Sequence, residues 1–252
     1  MIIQSRQNPK IKAVRSLLTA KGRKETGLHL IEGVRLVRDA LQSGANIIDL
    51  FILQGLQVPD LGGFPVTFVS EEVIAAITDS KSPQGIVAVV RTQSLELPSQ
   101  YTGSFLLLLD NIQDPGNMGT ILRSADAFGV SGVFLSSDCT DPFAPKALRS
   151  AMGSTYHLPI WKGNAESALK QMISEGYLPI CGHLQGTGTL PGQTEKIVLV
   201  IGNEGNGVRD SISSQCLRYK IPMFGNAESL NASVAAGILM YAISNILHSK
   251  GK

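Results

Sequence analysis

Three short glycine- and asparagine-rich stretches, Asp110 to Gly129, Ile201 to Gly207 and Ile221 to Ala236, each begin where an apolar run ends. The first follows Phe105 to Leu109 and leads into a helical pattern carrying Arg123, and the second follows Ile197 to Ile201. The third leads into a long C-terminal helical pattern. In an open α/β sheet, ligands collect beyond the carboxyl ends of the strands, where loops bare backbone groups and glycine permits close approach. One such loop is ordinary turn chemistry. Three in one chain imply that they converge on a shared site.

The rest of the chain supplies the sheet. After Phe105, strand patterns at Val133 to Leu135, Leu158 to Ile160, Leu178 to Cys181, Ile197 to Ile201 and Tyr219 to Ile221 alternate with helical patterns. The helices fall near Asn117 to Phe128, Pro145 to Met152, Glu166 to Ser174, Arg209 to Cys216 and Leu230 to Leu247. That alternation predicts a parallel sheet covered on both faces. Before it, residues 1–91 read as a small α/β or α+β module, with patterns at Ile11 to Leu18, Val34 to Leu41, Ile47 to Leu53, Val66 to Val69, Val73 to Ile77 and Ile86 to Val90. The polar stretch Thr92 to Gly103 contains Pro98 and lacks apolar periodicity, so it is read as the linker to a second domain over 104–252.

Several function classes drop out. No G-x-x-x-x-G-K-[ST] loop is present, which removes the phosphate-loop NTPases. Gly202, Gly205 and Gly207 give G-x-x-G-x-G rather than the dinucleotide fingerprint, and Ser229 lacks the flanking glycines of a nucleophile elbow. Cys139, Cys181 and Cys216 are odd in number and widely spaced, and the four histidines are scattered, so neither a disulfide framework nor a metal site is expected. The first residues lack the pattern of a signal peptide and no apolar run approaches a membrane span, so the cytoplasm is the expected compartment.

Charge is unevenly placed. Residues 1–38 carry nine basic side chains (Arg6, Lys10, Lys12, Arg15, Lys21, Arg23, Lys24, Arg35 and Arg38) against Glu25 and Glu32, while the remainder holds thirteen basic and eighteen acidic residues. A cationic segment on a mildly acidic body suits a polyanion such as RNA; the competing reading is a solvated helical face.

The ordered set NIQDPGNMGTILRSADAFG, IGNEGNGV and IPMFGNAESLNASVAAGI resembles the three signature motifs of the SpoU-type RNA 2′-O-ribose methyltransferases of the SPOUT superfamily. The N-terminal stretches HLIEGVRLVRDAL and TDSKSPQGIVAVV are similar to the ribosomal-protein-like substrate-binding domain that many members carry. The resemblance implies an α/β fold in which a parallel sheet ends in a deep trefoil knot, S-adenosylmethionine as methyl donor, a homodimer built through the C-terminal domain, and ribosomal RNA as the expected substrate. Transfer RNA is the competing substrate. A non-catalytic RNA-binding or ribosome-assembly factor on the same scaffold is the reading from a different class.

By motif position, Gly202, Ile221 and Leu230 would bound the cofactor, largely through backbone groups, while Asn117, Arg123, Glu204, Ser229 and Asn231 would form the catalytic set. Arg6, Lys10, Lys12, Arg15, Lys21, Arg23, Lys24 and Arg35 would meet RNA. The resemblance implies that the first motif's arginine, Arg123, takes the base's task; a guanidinium offers only donors, so Arg123 is expected instead to clamp the target phosphate or ribose, with Asn117 holding its geometry and help in deprotonation as the competing role. Glu204 is the carboxylate alternative for the base, or an organiser of the second loop. Each has a plainer use: Asn117 can cap the helix after Pro115, Arg123 can pair with Asp126, and Ser229 and Asn231 can cap the last helix. The stripe Val234, Ile238, Tyr241 and Ile246 is expected to pack in the core or in a dimer.

Overall fold

A computed structural model of the chain describes residues 2–58, 61, 63–187, 189–192 and 194–248. It divides into two compact units. The first comprises Met1–Gln93 together with Asp141–Tyr156, and the second Ser94–Thr140 together with His157–Lys252.

In the first unit the chain forms β1 (Ile2–Ile3), α1 (Pro9–Ser16), α2 (Ala20–Thr26), β2 (Leu28–Glu32), α3 (Val34–Gln42), β3 (Ile47–Leu53), β4 (Val66–Val69), α4 (Glu71–Ala76) and β5 (Ile86–Arg91). Its five-stranded sheet runs β1-β4-β3-β5-β2, parallel from β1 to β3 and antiparallel from β3 to β2. Local chemistry sets the helices: the Asn8 side chain caps α1 ahead of Pro9, Thr19 caps α2, and Gly27 ends α2 in the left-handed region at φ +64°. Ile11, Val14 and Leu17 then meet Phe51, Val69, Val73 and Val87 in a dry core.

The second unit opens with β6 (Phe105–Leu109), α5 (Pro115–Ala127) and β7 (Gly132–Ser136). After α6 (Pro145–Ala151), which groups with the first unit, it resumes with β8 (Ile160–Gly163), α7 (Ala165–Ser174) and β9 (Leu178–Thr187). The chain ends with β10 (Ile197–Ile201), α8 (Asp210–Ser213), β11 (Leu217–Tyr219) and α9 (Ala232–His248). The six strands run β11-β9-β10-β6-β7-β8 and every pairing is parallel, as the alternation predicts. Continuous apolar runs make β6, β7 and β10 buried at every residue. Leu106, Leu108, Val198 and Val200 pack under α7 and α8. Helix α9 packs on α5, β9 and β10, burying Ala236, Leu239, Met240 and Ile243.

The excursion Asp141–Tyr156 was not legible as part of the first unit. Polar contacts hold it there: Arg23 Nε donates to Asp141 Oδ2 at 2.7 Å, and its Nη1 donates to the Leu17 and Leu18 carbonyls at 3.0 and 3.1 Å. Buried in this way, Arg23 leaves the set of cations free to meet RNA. His29, also buried, sits 2.7 Å from the Tyr156 hydroxyl and 3.0 Å from the Thr92 hydroxyl. Burial lowers its pKa to about 4, with Asp141 opposing and Arg23 adding to the shift. The unfolded chain binds a proton at this ring below pH 6.5, whereas the folded chain resists until about pH 4. Stability from this group is therefore full above pH 6.5 and is lost as pH falls toward 4, by up to about 3 kcal/mol. Urea unfolding of the wild type and of His29→Gln across that window checks this: the substitution should remove this part of the slope.

Candidate active site

At the carboxyl ends of β6, β10 and β11 the chain enters the three loops, and they meet. Asp114 rather than Asn117 caps α5, its Oδ1 accepting from the Asn117 amide at 2.9 Å. Asn117, in the first turn, is freed for other work. Its Nδ2 donates to Glu204 Oε1 at 2.8 Å and its Oδ1 accepts from Asn231 Nδ2 at 3.1 Å. One side chain from each loop thus enters a single hydrogen-bonded chain. Asn231 also caps α9, accepting at Oδ1 from the Ser233 amide at 2.9 Å and the Ser233 hydroxyl at 2.6 Å. Its capping and site roles coexist.

The second loop is folded on itself. Asn203 and Gly207 exchange backbone hydrogen bonds at 3.0 and 2.9 Å, and Asn203 Oδ1 accepts from the Gly205 and Asn206 amides at 2.8 and 3.3 Å. Those four amides are occupied within the loop, which narrows the expected backbone recognition to the remaining groups. Gly202 closes the base of the loop: a Cβ there would lie 2.1 Å from the Gly207 carbonyl carbon.

Beside this loop lies a cavity of about 490 Å³. Gly202, Ile221 and Leu230 all line it, as do Glu204 and Ser229. Ile201, Met223 and Leu239 add apolar wall, and Asp210, Lys220 and Glu228 add charge. Its size falls within the range of roughly 300–1,000 Å³ usual for small-molecule sites.

Arg123 stands apart. Six residues beyond Asn117 on α5, it is turned about 240° around the helix axis, exposed, and without a hydrogen bond or ion pair among the described residues. Asn117 therefore does not hold it, and Asp126 pairs with His157 Nδ1 at 2.8 Å rather than with Arg123. Of the α9 stripe, Val234, Ile238 and Tyr241 are 50%, 42% and 59% exposed, so they are not core. Among the basic residues, Arg6 pairs with Glu72 at 2.6 Å and Lys10 with Asp49 at 2.6 Å, while Lys21 and Arg35 make loose i, i+4 pairs with Glu25 and Asp39. Lys12, Arg15 and Lys24 are exposed and unpaired among the described residues.

Sequence reasoning missed one pair. Asp110, at the end of β6, is fully buried, and Arg209, at the exit of the second loop, is bound to it through both backbone and side chain. The two lie ninety-nine residues apart, so no local spacing announces them.

Comparison with known proteins decides the family. Residues 104–241 match the SpoU rRNA Methylase family, and residues 8–88 match the MRM3-like substrate binding domain. The chain belongs to the SpoU rRNA methylase family. It is 38% identical over 245 residues to the 23S rRNA (guanosine(2553)-2′-O)-methyltransferase RlmP of Bacillus subtilis, covering 95% of this chain and 97% of the relative. The crystal structure of an AdoMet-bound rRNA methyltransferase from Sinorhizobium meliloti superposes with a TM-score of 0.87 at 33% identity, covering 97% of each chain. The SpoU methyltransferase AviRb from Streptomyces viridochromogenes, 24% identical, shares the fold with a TM-score of 0.84 over 98% of this chain and the whole of the other. As a SpoU methylase the chain is an RNA methyltransferase, and the matched residues include the three loops joined by Asn117, Glu204 and Asn231.

Proposed function

We propose that this chain transfers a methyl group from S-adenosylmethionine to a ribose 2′-hydroxyl of ribosomal RNA. The observation that carries the reading is that the second and third loops line one cavity while the first is bonded to both through Asn117, in a chain similar over nearly its whole length to a 23S rRNA 2′-O-methyltransferase. The cavity residues fit the cofactor. Ile201, Ile221, Met223, Leu230 and Leu239 suit a purine and an aliphatic chain, Glu204, Asp210 and Glu228 suit cationic groups, and Lys220 suits a carboxylate. S-adenosylmethionine supplies, when bound, a methyl group on a sulfonium that a nucleophilic oxygen can displace in line.

The chain's own residues then have separable tasks. Gly202, Ile221 and Leu230 bound the donor site, and the Glu204–Asn117–Asn231 network fixes the loops that shape it, since in-line transfer depends foremost on alignment. Within that network only Glu204 can accept a proton; amides cannot, and a guanidinium has donors alone. Arg123, free and exposed, is suited to hold the target phosphate or ribose through its paired donors. Ser229, exposed at the cavity wall, can donate to the incoming ribose.

We also infer the trefoil-knotted path and the homodimer that the family implies. The exposed apolar stripe Val234, Ile238 and Tyr241 supports a dimer face on α9, beside α5 and its Arg123. The N-terminal unit would capture RNA in the cytoplasm through Lys12, Arg15, Lys21 and Lys24. Changing these four to glutamine should weaken RNA binding and flatten its salt dependence, by roughly 0.7–0.9 in log–log slope for each phosphate no longer neutralised. Filter binding across a salt series, with S-adenosylmethionine affinity as the unchanged control, checks it. Mapping 2′-O-methyl sites in ribosomal RNA from cells with and without this protein tests the substrate: one site should vanish with the protein, and an unchanged ribosomal map with a site missing from transfer RNA would overturn the assignment.

A further inference from the structure

Among the described residues, the one fully buried carboxylate takes no part in the chemistry just described. Asp110 Oδ2 accepts from the Arg209 amide at 2.9 Å, and Oδ1 accepts from Arg209 Nε at 2.7 Å and also from Nη2. Arg209 Nη2 reaches Asp138 as well, at 3.4 Å. A buried carboxylate that takes two side-chain donors of one arginine on one oxygen and that residue's own amide on the other fixes the backbone of Arg209 and not only its side chain. The Asp110 amide, in turn, donates to the Ile201 carbonyl at 2.8 Å, so the pair spans both ends of the 202–208 loop.

Two further ties run to the same short segment. Asn203 Nδ2 donates to the Asn111 carbonyl at 2.9 Å, and Glu204 at the loop's tip accepts from Asn117 at 2.8 Å. Asn111 holds a left-handed backbone at φ +60°, a conformation side-chain-bearing residues rarely adopt, while its amide donates to Ser136 Oγ at 2.8 Å. The entry, tip and exit of the cavity loop are thus all referenced to residues 110–117. The entry and tip are held by single neutral donors, and the exit by a charged clamp.

We propose that Asp110 and Arg209 are a positioning pair that sets the shape of the 202–208 loop, and through it the affinity for the methyl donor. Neither residue lines the cavity; both act through Gly202, Glu204 and Val208, which do. The proposal rests on the S-adenosylmethionine reading above for its kinetic consequence, and on the loop geometry alone for its mechanical one.

The test uses the full-length chain as wild type, Arg209→Lys and Arg209→Gln. Calorimetry gives S-adenosylmethionine affinity without RNA, steady-state kinetics separate KM from kcat, and amide exchange follows residues 203–207. Arg209→Gln should raise both the dissociation constant and KM for S-adenosylmethionine about tenfold or more, leave kcat at saturating donor within about threefold, and speed exchange at those amides. Arg209→Lys, which keeps charge but loses the fork, should fall between. A merely structural pair would lower Tm while leaving KM and affinity of the folded protein unchanged, and that result would overturn the proposal. Should Arg209→Gln fail to fold, Arg209→Lys decides by the same readouts. A wild type that binds no S-adenosylmethionine contradicts the functional reading instead; loop exchange in the variants still supports the clamp if it quickens and refutes it if it does not.

Discussion

Gly202→Ala should weaken S-adenosylmethionine binding by about tenfold to a hundredfold, the affinity equivalent of an overpacking strain of about 1–3 kcal/mol. The added Cβ would lie 2.1 Å from the Gly207 carbonyl carbon, 2.2 Å from the Val208 nitrogen and 2.3 Å from the Gly207 oxygen. All three are backbone atoms of the opposite arm of the same loop. No side chain can swing aside, so the arms must part and the Asn203–Gly207 hydrogen bonds must break. Parting the arms moves Glu204 away from Asn117 and opens the wall carrying Gly202 and Val208. Overpacking of this kind destabilises by about 1–3 kcal/mol, so the protein should still fold with a lowered Tm. Gly225→Ala is the matched control, because a Cβ there meets nothing within 4 Å. Calorimetric titration of both variants checks the contrast: equal affinities would mean that the loop's closure does not shape the donor site.

The second large effect falls on rate rather than binding. Arg123→Ala should slow methyl transfer by about a hundredfold, the scale on which misplacing the reacting hydroxyl acts. Tm and S-adenosylmethionine affinity should hold, because the side chain is exposed and bonds to nothing among the described residues. Arg123→Lys should recover only part of the loss, since an ammonium cannot reproduce the planar pair of donors. Single-turnover transfer to ribosomal RNA measures the step. An unchanged rate in Arg123→Ala would reduce Arg123 to a solvated surface residue.

The centre of the parallel sheet was legible because its strands are continuous apolar runs: Phe105 to Leu109 and Ile197 to Ile201 hold the same bounds in the fold as in the sequence. Less apolar elements escaped. Helix α2 carries only Ala20 as an apolar residue and depends on the Thr19 cap and Gly27, while β9 runs on to Thr187 through polar residues because β11 pairs with its far end. The site was legible to the depth of its motifs. That Gly202, Ile221 and Leu230 would bound one site followed from the motif positions of the resemblance, but which side chain meets which did not. Asn117 and Asp114 are both good caps, and only three-dimensional placement gives the cap to Asp114 and Asn117 to Glu204 and Asn231. Charge counting likewise could not separate Arg23, buried against Asp141, from Lys12, Arg15 and Lys24.

Purified protein incubated with methyl-labelled S-adenosylmethionine and unmodified ribosomal RNA, followed by digestion to nucleosides, tests the central claim most directly. The label should appear in one 2′-O-methylnucleoside and fall sharply with the Gly202→Ala chain at donor concentrations near the wild-type dissociation constant. Label on a nucleobase, or RNA bound with no label transferred, would contradict it.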